Sequence, residues 1–312
     1  MPTIKPDWYC IVNPHAGSRK TMDEWRIAER KFTELSVPYK TTLTNYKFHA
    51  TVLAYEAALH GYRRILAVGG DGSVHEVLAG IMQYVDETGT PSEDFTLAVV
   101  PIGSGNDWIK TNNVPHDTEK VVEMIAAESF GMMDIVRVES TGGRSYMANV
   151  GGTGFDSHVC ERVNAQKEHG KRNNRIYFNA LIHTVLNFRR FVNNMTIVAD
   201  GRTVFDGVTY SVALGNGPYS GGGMRQVPLA VNDDGMLDYL VVPKMTLTRI
   251  AKEAGRLYNG TACESPYLVS GKCRVLEIMG DDLVEVDGEI KGNLPLKVSV
   301  TGSQIKVLKG LE

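Results

Sequence analysis

The sequence predicts an α/β fold with a parallel sheet in its first part and a mostly antiparallel β-sandwich in its second part. Apolar runs alternate with helical patterns through about the first 130 residues, which is typical of a parallel sheet covered on both faces. After Met133, short strand-like runs separated by turn dipeptides dominate the sequence. A chain of 312 residues, 43% hydrophobic and 22% charged, is ordinary for a globular protein and suits two domains.

The first part consists of strand–helix pairs. The predicted strands are WYCIV, YKTTLT, RRILAVG and FTLAVVPIG, and the predicted helices are MDEWRIAERKFTEL, HATVLAYEAALHGY and SVHEVLAGIMQYV. Apolar residues share one face of the first helix, at Trp25, Ala28, Phe32 and Leu35. Glycine-rich turns follow the third and fourth strands, and the carboxyl ends of strands are where open α/β sheets bind ligands.

The second part is a series of short strands. The runs are IVRVES, SYMANVGG, MTIVADGRTVF, VTYSVALGN, LDYLVVP, RVLEIMG, LVEVDGE and LKVSVTGSQIKVL, interrupted by one helical pattern from about Tyr177 to Val192. No linker rich in proline or serine separates the two parts, so we expect tightly packed domains with a cleft between them. We predict one domain over residues 1–130 and a second over 131–297. The segment from about residue 298 is a candidate to return to the first domain.

Composition excludes some classes of protein. A net charge of -3 and a pI near 6.3 argue against a nucleic-acid binder that works by bulk positive charge. The segment MPTIKPDWYCIVNP lacks the apolar core of a signal peptide, and no stretch reaches the length that spans a membrane. The four cysteines show no CxxC spacing, so we expect reduced thiols and no zinc site. These observations predict a cytoplasmic protein.

The turn GGDGS raises a chemical question. Glycine turns between a strand and a helix bind phosphate through backbone N–H groups, yet the carboxylate of Asp71 would repel a phosphate. The carboxylate is explained if a metal ion lies between the two, or if Asp71 handles a proton. Alternatively, Asp71 is only a negative charge at the N-terminus of a helix, where the helix dipole stabilises it. The chain has no G-x-x-x-x-G-K-[ST] motif, and GGDGSV does not fit G-x-G-x-x-G, which excludes a P-loop and a standard dinucleotide site.

Six blocks occur in order along the chain: IVNPHAGSRK, GGDGSVHEV, PIGSGNDW, NVGGTGFDSHV, VNDDGMLDYLVV and VEVDGE. This set resembles the diacylglycerol kinase and sphingosine kinase superfamily, in particular its bacterial lipid kinases. The resemblance covers nearly the whole chain, from Asn13 to Leu308. It implies a nucleotide-binding domain of the NAD-kinase and diacylglycerol-kinase type, a β-rich domain for the lipid substrate, and an active site in the cleft between them.

The resemblance also implies ATP and Mg²⁺ as cofactors. The positions that it assigns to the ATP site are Asn13, Thr44, Gly69, Gly70, Asp71, Gly72, Ser73, Val74, His75, Gly103, Ser104, Asn106 and Asp107. Of these, Asp71 and Asp107 match carboxylates of a metal and water network near the phosphates. A further Mg²⁺ site is assigned to Asp234 with the backbone carbonyls of Val231 and Met236. Asp134 matches a carboxylate at the domain junction.

Glu289, in the VDGE block, occupies the position of the general base. A lipid hydroxyl is a poor nucleophile at neutral pH, so a carboxylate that accepts its proton is useful. Asp71 is the rival for this role, and it stands beside Glu289 as a catalytic candidate. Taken alone, the Asp-Gly pairs of the VNDDG and VDGE blocks would each indicate only a hairpin turn.

The chain departs from the family pattern at a few positions. Serines stand where threonines are usual, histidine replaces a common asparagine, and tryptophan replaces a smaller residue; these are Ser73, Ser104, His75 and Trp108. Some family members carry a lysine where this chain has Ser18. Whether Ser18, Arg19 or Lys20 supplies a charge that neutralises phosphate therefore stays open.

We expect a Mg²⁺-dependent kinase that transfers the γ-phosphate of ATP to a hydroxyl of diacylglycerol or a related lipid, such as a sphingoid base or ceramide. The alternatives are a soluble-substrate kinase of the NAD-kinase or phosphofructokinase type, and a catalytically silent lipid-binding regulator. The expected partner is a lipid at the inner membrane surface, contacted peripherally, and no nucleic acid. Basic residues between 171 and 190 form either a solvated helix surface or a membrane contact. The lipid and the oligomeric state, a homodimer included, stay open.

Overall fold

The computed structural model describes residues 5–17, 21–103, 105–168 and 192–311. The chain forms two compact units, of which the first contains Met1–Ile135 with Gly302–Glu312 and the second contains Val136–Thr301. Ser104, the segment 18–20 and the basic region 171–190 lie outside the described residues, as does the helix predicted from Tyr177 up to residue 191. The nucleotide and lipid roles predicted for the two domains stay predictions.

Strands and helices alternate at first, and strands dominate later. The elements up to residue 126 are β1 Lys5–Val12, α1 Thr21–Glu34, β2 Tyr39–Leu43, α2 His49–Leu59, β3 Tyr62–Gly69, α3 Asp71–Thr88, β4 Thr96–Pro101, α4 Asp107–Thr111 and α5 Thr118–Ala126. Those that follow are β5 Phe130–Ser140, β6 Gly143–Met147, β7 Val150–Gly154, α6 Phe155–Glu168, β8 Asn193–Ala199, β9 Arg202–Gly215, β10 Tyr219–Ser220, β11 Met224–Arg225, β12 Leu237–Pro243, α7 Leu247–Asn259, β13 Val269–Cys273, β14 Val275–Met279, β15 Leu283–Val286, β16 Glu289–Asn293 and β17 Leu296–Leu308.

The sheet of the first unit is parallel, which confirms the prediction. Its strand order is β2-β1-β3-β4, and the end of β17 adds a further parallel strand beside β4. The chain runs outward from β1 to β2 and then returns past β1 to β3, so the winding direction reverses between β1 and β3. Right-handed crossovers then place helices on both faces, in agreement with the packing of α1 on α5 and of α2 on α3. Ligands bind open α/β sheets at such a reversal, beyond the carboxyl ends of the strands.

The core of this unit contains the largest side chains of the chain. Trp8, Trp25 and Trp108 are each 1% exposed, and every residue of β4 is buried. The predicted apolar face of α1 is buried at Trp25, Ala28 and Phe32. Leu35, expected on the same face, follows the end of α1 at Glu34 and is 37% exposed. The helix therefore ends one residue before its predicted apolar face does.

Gly80 lets α2 and α3 pack closely against each other. A Cβ atom at Gly80 would overlap the carbonyl oxygen of Thr51 and would lie 2.8 Å from Cβ of Ala54. One turn earlier in α3, Oε2 of Glu76 accepts a hydrogen bond of 3.1 Å from the backbone N–H of Ala50, in the first turn of α2. Glu76 of the neighbouring helix thus provides a side-chain acceptor for the first turn of α2.

The second unit is built from antiparallel strand pairs, as predicted. These pairs are β5–β6, β7–β9, β7–β15, β8–β9, β8–β14, β9–β12, β12–β13, β14–β17, β15–β16 and β10–β11. Two helices of this unit, α6 and α7, were not predicted from the sequence. Phe155, Val159 and Val163 of α6 form a small apolar cluster. Within the described ranges, no helix combines the length and the apolar character needed to cross a membrane.

Gly80→Ala should destabilise the protein by about 1–3 kcal/mol, the usual effect of overpacking. The added Cβ meets the Thr51 carbonyl, and this clash outweighs the helix-propensity gain of about 1 kcal/mol. Gly255→Ala in α7 is the matched control, because nothing lies within 4 Å of a Cβ at that position. It should stabilise the protein by up to about 1 kcal/mol. Denaturant unfolding measures both changes, and a gain of stability in Gly80→Ala would contradict the packing argument.

Candidate active site

The first glycine turn joins β3 to α3. β3 ends at Gly69, Gly70 occupies the N-cap position in an extended conformation, and α3 begins at Asp71. The carbonyl oxygen of Gly70 accepts hydrogen bonds from the N–H groups of Ser73 at 2.9 Å and Val74 at 3.3 Å. Nothing lies within 4 Å of a Cβ at Gly72. The start of α3 therefore borders open space, at the helix end that favours an anion.

The second glycine turn follows β4 and touches the first. The N–H of Ile102 donates a hydrogen bond of 2.7 Å to the carbonyl oxygen of Gly69, which extends the strand pairing by one step. A Cβ at Gly70 would lie 3.2 Å from Cα of Gly103, and a Cβ at Gly103 would lie 2.8 Å from Cα of Gly70. The two turns are thus in direct backbone contact, which requires glycine at Gly103 and leaves little room at Gly70.

Asn106 closes the second turn. It adopts a left-handed conformation with φ of 48°, which asparagine tolerates better than most residues, and it is 4% exposed. Its Nδ2 donates a hydrogen bond of 3.0 Å to the carbonyl oxygen of Gly103. Its Oδ1 is buried and has no hydrogen-bond partner among the described residues. A buried acceptor without a donor is uncommon, so this atom is available to a ligand or water donor.

Asp71 and Asp107 have different partners. Oδ1 of Asp71 accepts a hydrogen bond of 2.9 Å from the backbone N–H of Trp108, which ties the start of α3 to α4. Asp107 is 6% exposed, and its Oδ1 lies 2.8 Å from Nζ of Lys110. Lys110 also donates a hydrogen bond of 3.0 Å to the carbonyl oxygen of Gly105. Lys110 was not predicted from the sequence, although its spacing of three residues from Asp107 was a signal.

Asn13 and Thr44 follow the neighbouring strands at the same edge of the sheet. The N–H of Asn13 bonds the carbonyl oxygen of Val68 at 3.0 Å, and Oδ1 of Asn13 accepts a hydrogen bond of 3.0 Å from the N–H of His15. Thr44 is 6% exposed, and its N–H donates to the carbonyl oxygen of Val12 at 2.9 Å.

The structure therefore gathers most of the predicted ATP-site positions at the carboxyl ends of β1 to β4: Asn13, Thr44, Gly69, Gly70, Asp71, Gly72, Ser73, Gly103, Asn106 and Asp107. Val74 and His75 are buried in the first turns of α3. Ser104 lies outside the described residues. Their contact with ATP stays a prediction.

A magnesium ion fits Asp71. The carboxylate is partly exposed, and a carboxylate offers about four acceptor positions, so the bond from Trp108 is compatible with a hard cation on the same group. Asp107 is less suited, because the ammonium group of Lys110 already balances its charge at 2.8 Å.

The VDGE block forms a tight hairpin in the second unit. β15 ends at Val286, β16 begins at Glu289, and these two residues pair across the turn. Asp287 has a positive φ of 49°. Its carboxylate accepts hydrogen bonds from the N–H groups of three consecutive residues, at 2.7 Å from Ala148, 2.9 Å from Asn149 and 3.1 Å from Val150. Asp287 thus fixes the turn before Glu289 against the NVGG block, a role that the sequence did not indicate.

A second carboxyl group supports the same turn from inside. Glu285 is 9% exposed, and its Oε2 accepts a hydrogen bond of 3.0 Å from the N–H of Gly288. Burial raises the pKa of Glu285 to about 8; the negative charges of Asp156 and Asp287 act in the same direction, and the Gly288 bond opposes them. Burial also raises the pKa of Asp156, although the Ser211 hydroxyl at 2.7 Å opposes this. Glu289 follows this turn and is partly exposed.

The predicted positions Asp134 and Asp234 both have side-chain partners. Asp134, 3% exposed, accepts a hydrogen bond of 2.9 Å from Nε2 of Gln304 within the first unit. Asp234 lies in the turn before β12, where its Oδ1 accepts a hydrogen bond of 3.0 Å from the N–H of Met236. Its Oδ2 lies 2.6 Å from Nζ of Lys272. A lysine ammonium group at this distance does not fit a magnesium ion on the same oxygen, so the arrangement here is a salt bridge.

Glu285→Gln should change how stability depends on pH. A glutamate ionises near pH 4.5 in the unfolded chain, whereas folded Glu285 keeps its proton up to about pH 8. The folded state binds more protons between these values, so the contribution of Glu285 to stability falls as the pH rises through this range. Glutamine stays neutral. The free energy of unfolding of the variant should equal that of the wild type near pH 4.5. Above pH 8 it should be larger than that of the wild type by up to roughly 5 kcal/mol.

Denaturant unfolding as a function of pH measures this difference. Glu277→Gln is the control, because its side chain is 36% exposed in a surface ion pair with Lys297. Its curve should run parallel to that of the wild type. If Glu285→Gln also runs parallel to the wild type from acid to alkaline pH, the raised pKa of Glu285 is wrong.

Comparisons with protein families agree with the two-part architecture. Residues 7–138 match the model of the diacylglycerol kinase catalytic domain. Residues 149–309 match the model of the YegS C-terminal NAD kinase beta sandwich-like domain. The predicted combination of an α/β fold with a parallel sheet and a C-terminal β-sandwich is therefore confirmed.

Individual relatives and solved structures are similar over most of their length. "Putative lipid kinase YtlR" of Bacillus subtilis is 23% identical, over 96% of this chain and 98% of that protein. "Probable lipid kinase YegS-like" of Chromohalobacter salexigens is 28% identical, over 80% of this chain and 77% of that protein. A structure described as "A putative diacylglycerol kinase from Bacillus anthracis str. Sterne" has a TM-score of 0.78 at 22% identity, and covers 98% of this chain and 97% of that chain. At this identity the structural likeness shows the fold alone.

The two family models together match nearly the whole chain. The catalytic-domain model covers the first three sequence blocks, and the C-terminal model covers the other three. The chain therefore belongs to the family of lipid kinases that combine a diacylglycerol kinase catalytic domain with a YegS-type C-terminal domain.

Proposed function

We propose that the protein transfers the γ-phosphate of ATP to a hydroxyl group of diacylglycerol or a related lipid, such as a sphingoid base or ceramide. The observation that carries this proposal is the contact between the two glycine turns after β3 and β4. Backbone that lacks side chains at Gly70 and Gly103 lets phosphate oxygens approach N–H groups at the start of α3. The lipid would be reached at the inner membrane surface, in peripheral contact.

The phosphates of ATP carry charge that the site must balance. In the proposed complex Asp71 would hold Mg²⁺, which when bound neutralises phosphate charge and polarises the transferred group. Lys110 lies beside the second glycine turn, with its Nζ 3.0 Å from the carbonyl oxygen of Gly105. Its charge is balanced by Asp107 at 2.8 Å, so this pair adds no net positive charge for the phosphates. The donor Nδ2 of Asn106 is used by Gly103, so its buried Oδ1 is the atom left to orient a water or a hydroxyl group.

Glu289 is the proposed general base. A carboxylate that accepts the proton of the lipid hydroxyl makes that oxygen a better nucleophile as the phosphoryl group is transferred. The hydrogen bonds of Asp287 and Glu285 support this assignment, because they hold the turn that immediately precedes Glu289.

Transfer of labelled phosphate from ATP to lipids in mixed micelles tests the proposal. The panel contains diacylglycerol, monoacylglycerol, a sphingoid base and ceramide, with fructose 6-phosphate and NAD as soluble acceptors. We expect Mg²⁺-dependent labelling of a lipid and none of the soluble acceptors. Labelling of only a soluble acceptor would favour the second kinase class, and lipid binding without any transfer would favour a silent regulator.

Gly70→Val tests whether ATP binds at the glycine turns. Its branched side chain would enter the space beside Cα of Gly103, which already lies 3.2 Å from a Cβ at this position. The variant should lose ATP binding while its circular dichroism remains that of the wild type. Normal ATP affinity in a folded Gly70→Val protein would contradict the nucleotide site.

Glu289→Gln should lower turnover by roughly 10²–10⁴-fold, the usual contribution of a general base, with ATP affinity near normal. Glutamine keeps the size of the side chain and removes the proton acceptor. Measurement of kcat and of nucleotide affinity for Glu289→Gln and Asp71→Asn separates the two candidate bases. Asparagine at position 71 can still accept the hydrogen bond from Trp108, so this variant tests the charge rather than the link between α3 and α4.

If Glu289→Gln keeps near-full kcat while Asp71→Asn loses it with ATP still bound, Asp71 is the base and the assignment of Glu289 is wrong. Loss of ATP affinity in Asp71→Asn, with chemistry lost only in Glu289→Gln, is the result that we expect. Lys120→Gln, remote in sequence from both turns and exposed at the start of α5, is a control for the effect of surface charge.

A further inference from the structure

A lysine ammonium group lies against the turn that precedes β12, where the resemblance places a metal ion. One carboxylate oxygen of Asp234 accepts a hydrogen bond from the N–H of Met236, and the other lies 2.6 Å from Nζ of Lys272. We propose that in this chain the ammonium group of Lys272 replaces the divalent cation of this turn. The inference concerns the second unit alone and does not depend on the proposed lipid kinase reaction.

Strand pairing brings Lys272 to this position. β12 and β13 pair antiparallel, and Lys272 of β13 stands directly opposite Asp238 of β12. The same Nζ atom that contacts Asp234 lies 3.4 Å from Oδ2 of Asp238. One ammonium group therefore bridges two carboxylates, one in the turn and one in the strand that follows the turn. This is the charge balance that a bound cation would otherwise provide.

The three side chains of this bridge are buried or partly buried in the second unit. The side chain of Asp238 is 8% exposed, and those of Asp234 and Lys272 are 29% and 35% exposed. A carboxylate as buried as that of Asp238 needs a nearby positive charge to remain ionised. A lysine fixed by the strand register supplies that charge whatever the concentration of metal.

The lysine and a magnesium ion exclude each other at this oxygen. Magnesium binds carboxylate oxygen at about 2.0–2.1 Å and demands near-octahedral geometry, with several of its waters retained. Oδ2 of Asp234 already faces the ammonium group at 2.6 Å, so a metal on this oxygen would lie close to a like charge. Removal of the ammonium group would take away the positive charge that Asp234 and Asp238 share, and a cation could then bind at the turn.

Metal binding without nucleotide tests this inference. Mn²⁺ titration, followed by electron paramagnetic resonance, and thermal melting with EDTA or with Mg²⁺ are measured on the full chain. The wild type should melt at the same temperature in both buffers, and Asp234→Asn should leave its Mn²⁺ affinity unchanged. Lys272→Met should melt lower in EDTA, recover with Mg²⁺, and bind Mn²⁺ more tightly than the wild type by roughly tenfold or more.

Lys297→Met is the matched control. Lys297 also stands directly opposite an acidic residue, Glu277, in an antiparallel pair, with 3.3 Å between the charged atoms. Its loss should create no cation dependence, since no second carboxylate shares its ammonium group among the ion pairs of the described residues. The double variant Lys272→Met with Asp234→Asn should lose the added Mn²⁺ affinity.

Two results would overturn the inference. One is Mn²⁺ binding by the wild type that disappears in Asp234→Asn, because this would place a metal on the turn despite Lys272. The other is a folded Lys272→Met protein with no gain in Mn²⁺ affinity. If Lys272→Met fails to fold, the Mn²⁺ affinities of the wild type and Asp234→Asn still decide whether a metal occupies the turn.

Discussion

The register between β3 and β4 is the constraint on which the candidate site depends. The two strands pair in parallel with Gly69 opposite Pro101, so the turns that follow them must share one small space. Backbone contact between Gly70 and Gly103 is the result, which requires glycine at position 103 and leaves little room for a side chain at position 70. The strand register therefore fixes the distance between the starts of α3 and α4, on which the proposed binding of phosphate by backbone N–H groups depends.

Carboxylates hold the backbone in place at several points, and of these acids only Asp71 was expected to take part in chemistry. Asp71 bonds the N–H of Trp108, Glu76 bonds the N–H of Ala50, and Asp287 bonds three consecutive N–H groups. An ionised carboxylate is a strong acceptor, so each link stabilises its turn. Replacement by alanine would remove the link together with the charge. Replacement by the amide retains an acceptor, and it is the better way to separate architecture from chemistry in this protein.

Much of the first unit could be predicted because its signals are local. Alternating strands and helices, with glycines just past the strand ends, indicate a parallel sheet and its ligand-binding edge from neighbouring residues alone. The helix α6 also carried a local signal, in the spacing of Phe155, Val159 and Val163, and was overlooked. The anchoring role of Asp287 and the bridge formed by Lys272 could not be predicted. Both depend on strand register, which brings together segments that are far apart in the sequence.

Three departures from the family pattern that lie within the described residues are buried. Ser73, His75 and Trp108 are 7%, 2% and 1% exposed, whereas Asp71, two residues before Ser73, is partly exposed. The hydroxyl of Ser73 lies against Gly69 so closely that a Cβ there would overlap it. These three buried side chains support the backbone of the turns from below. They can be exchanged as long as the two turns keep their spacing, while a carboxylate at the surface of the turn acts on charge directly and cannot. These three exchanges therefore fall beneath the turns, whereas Asp71 at the surface of the first turn is retained.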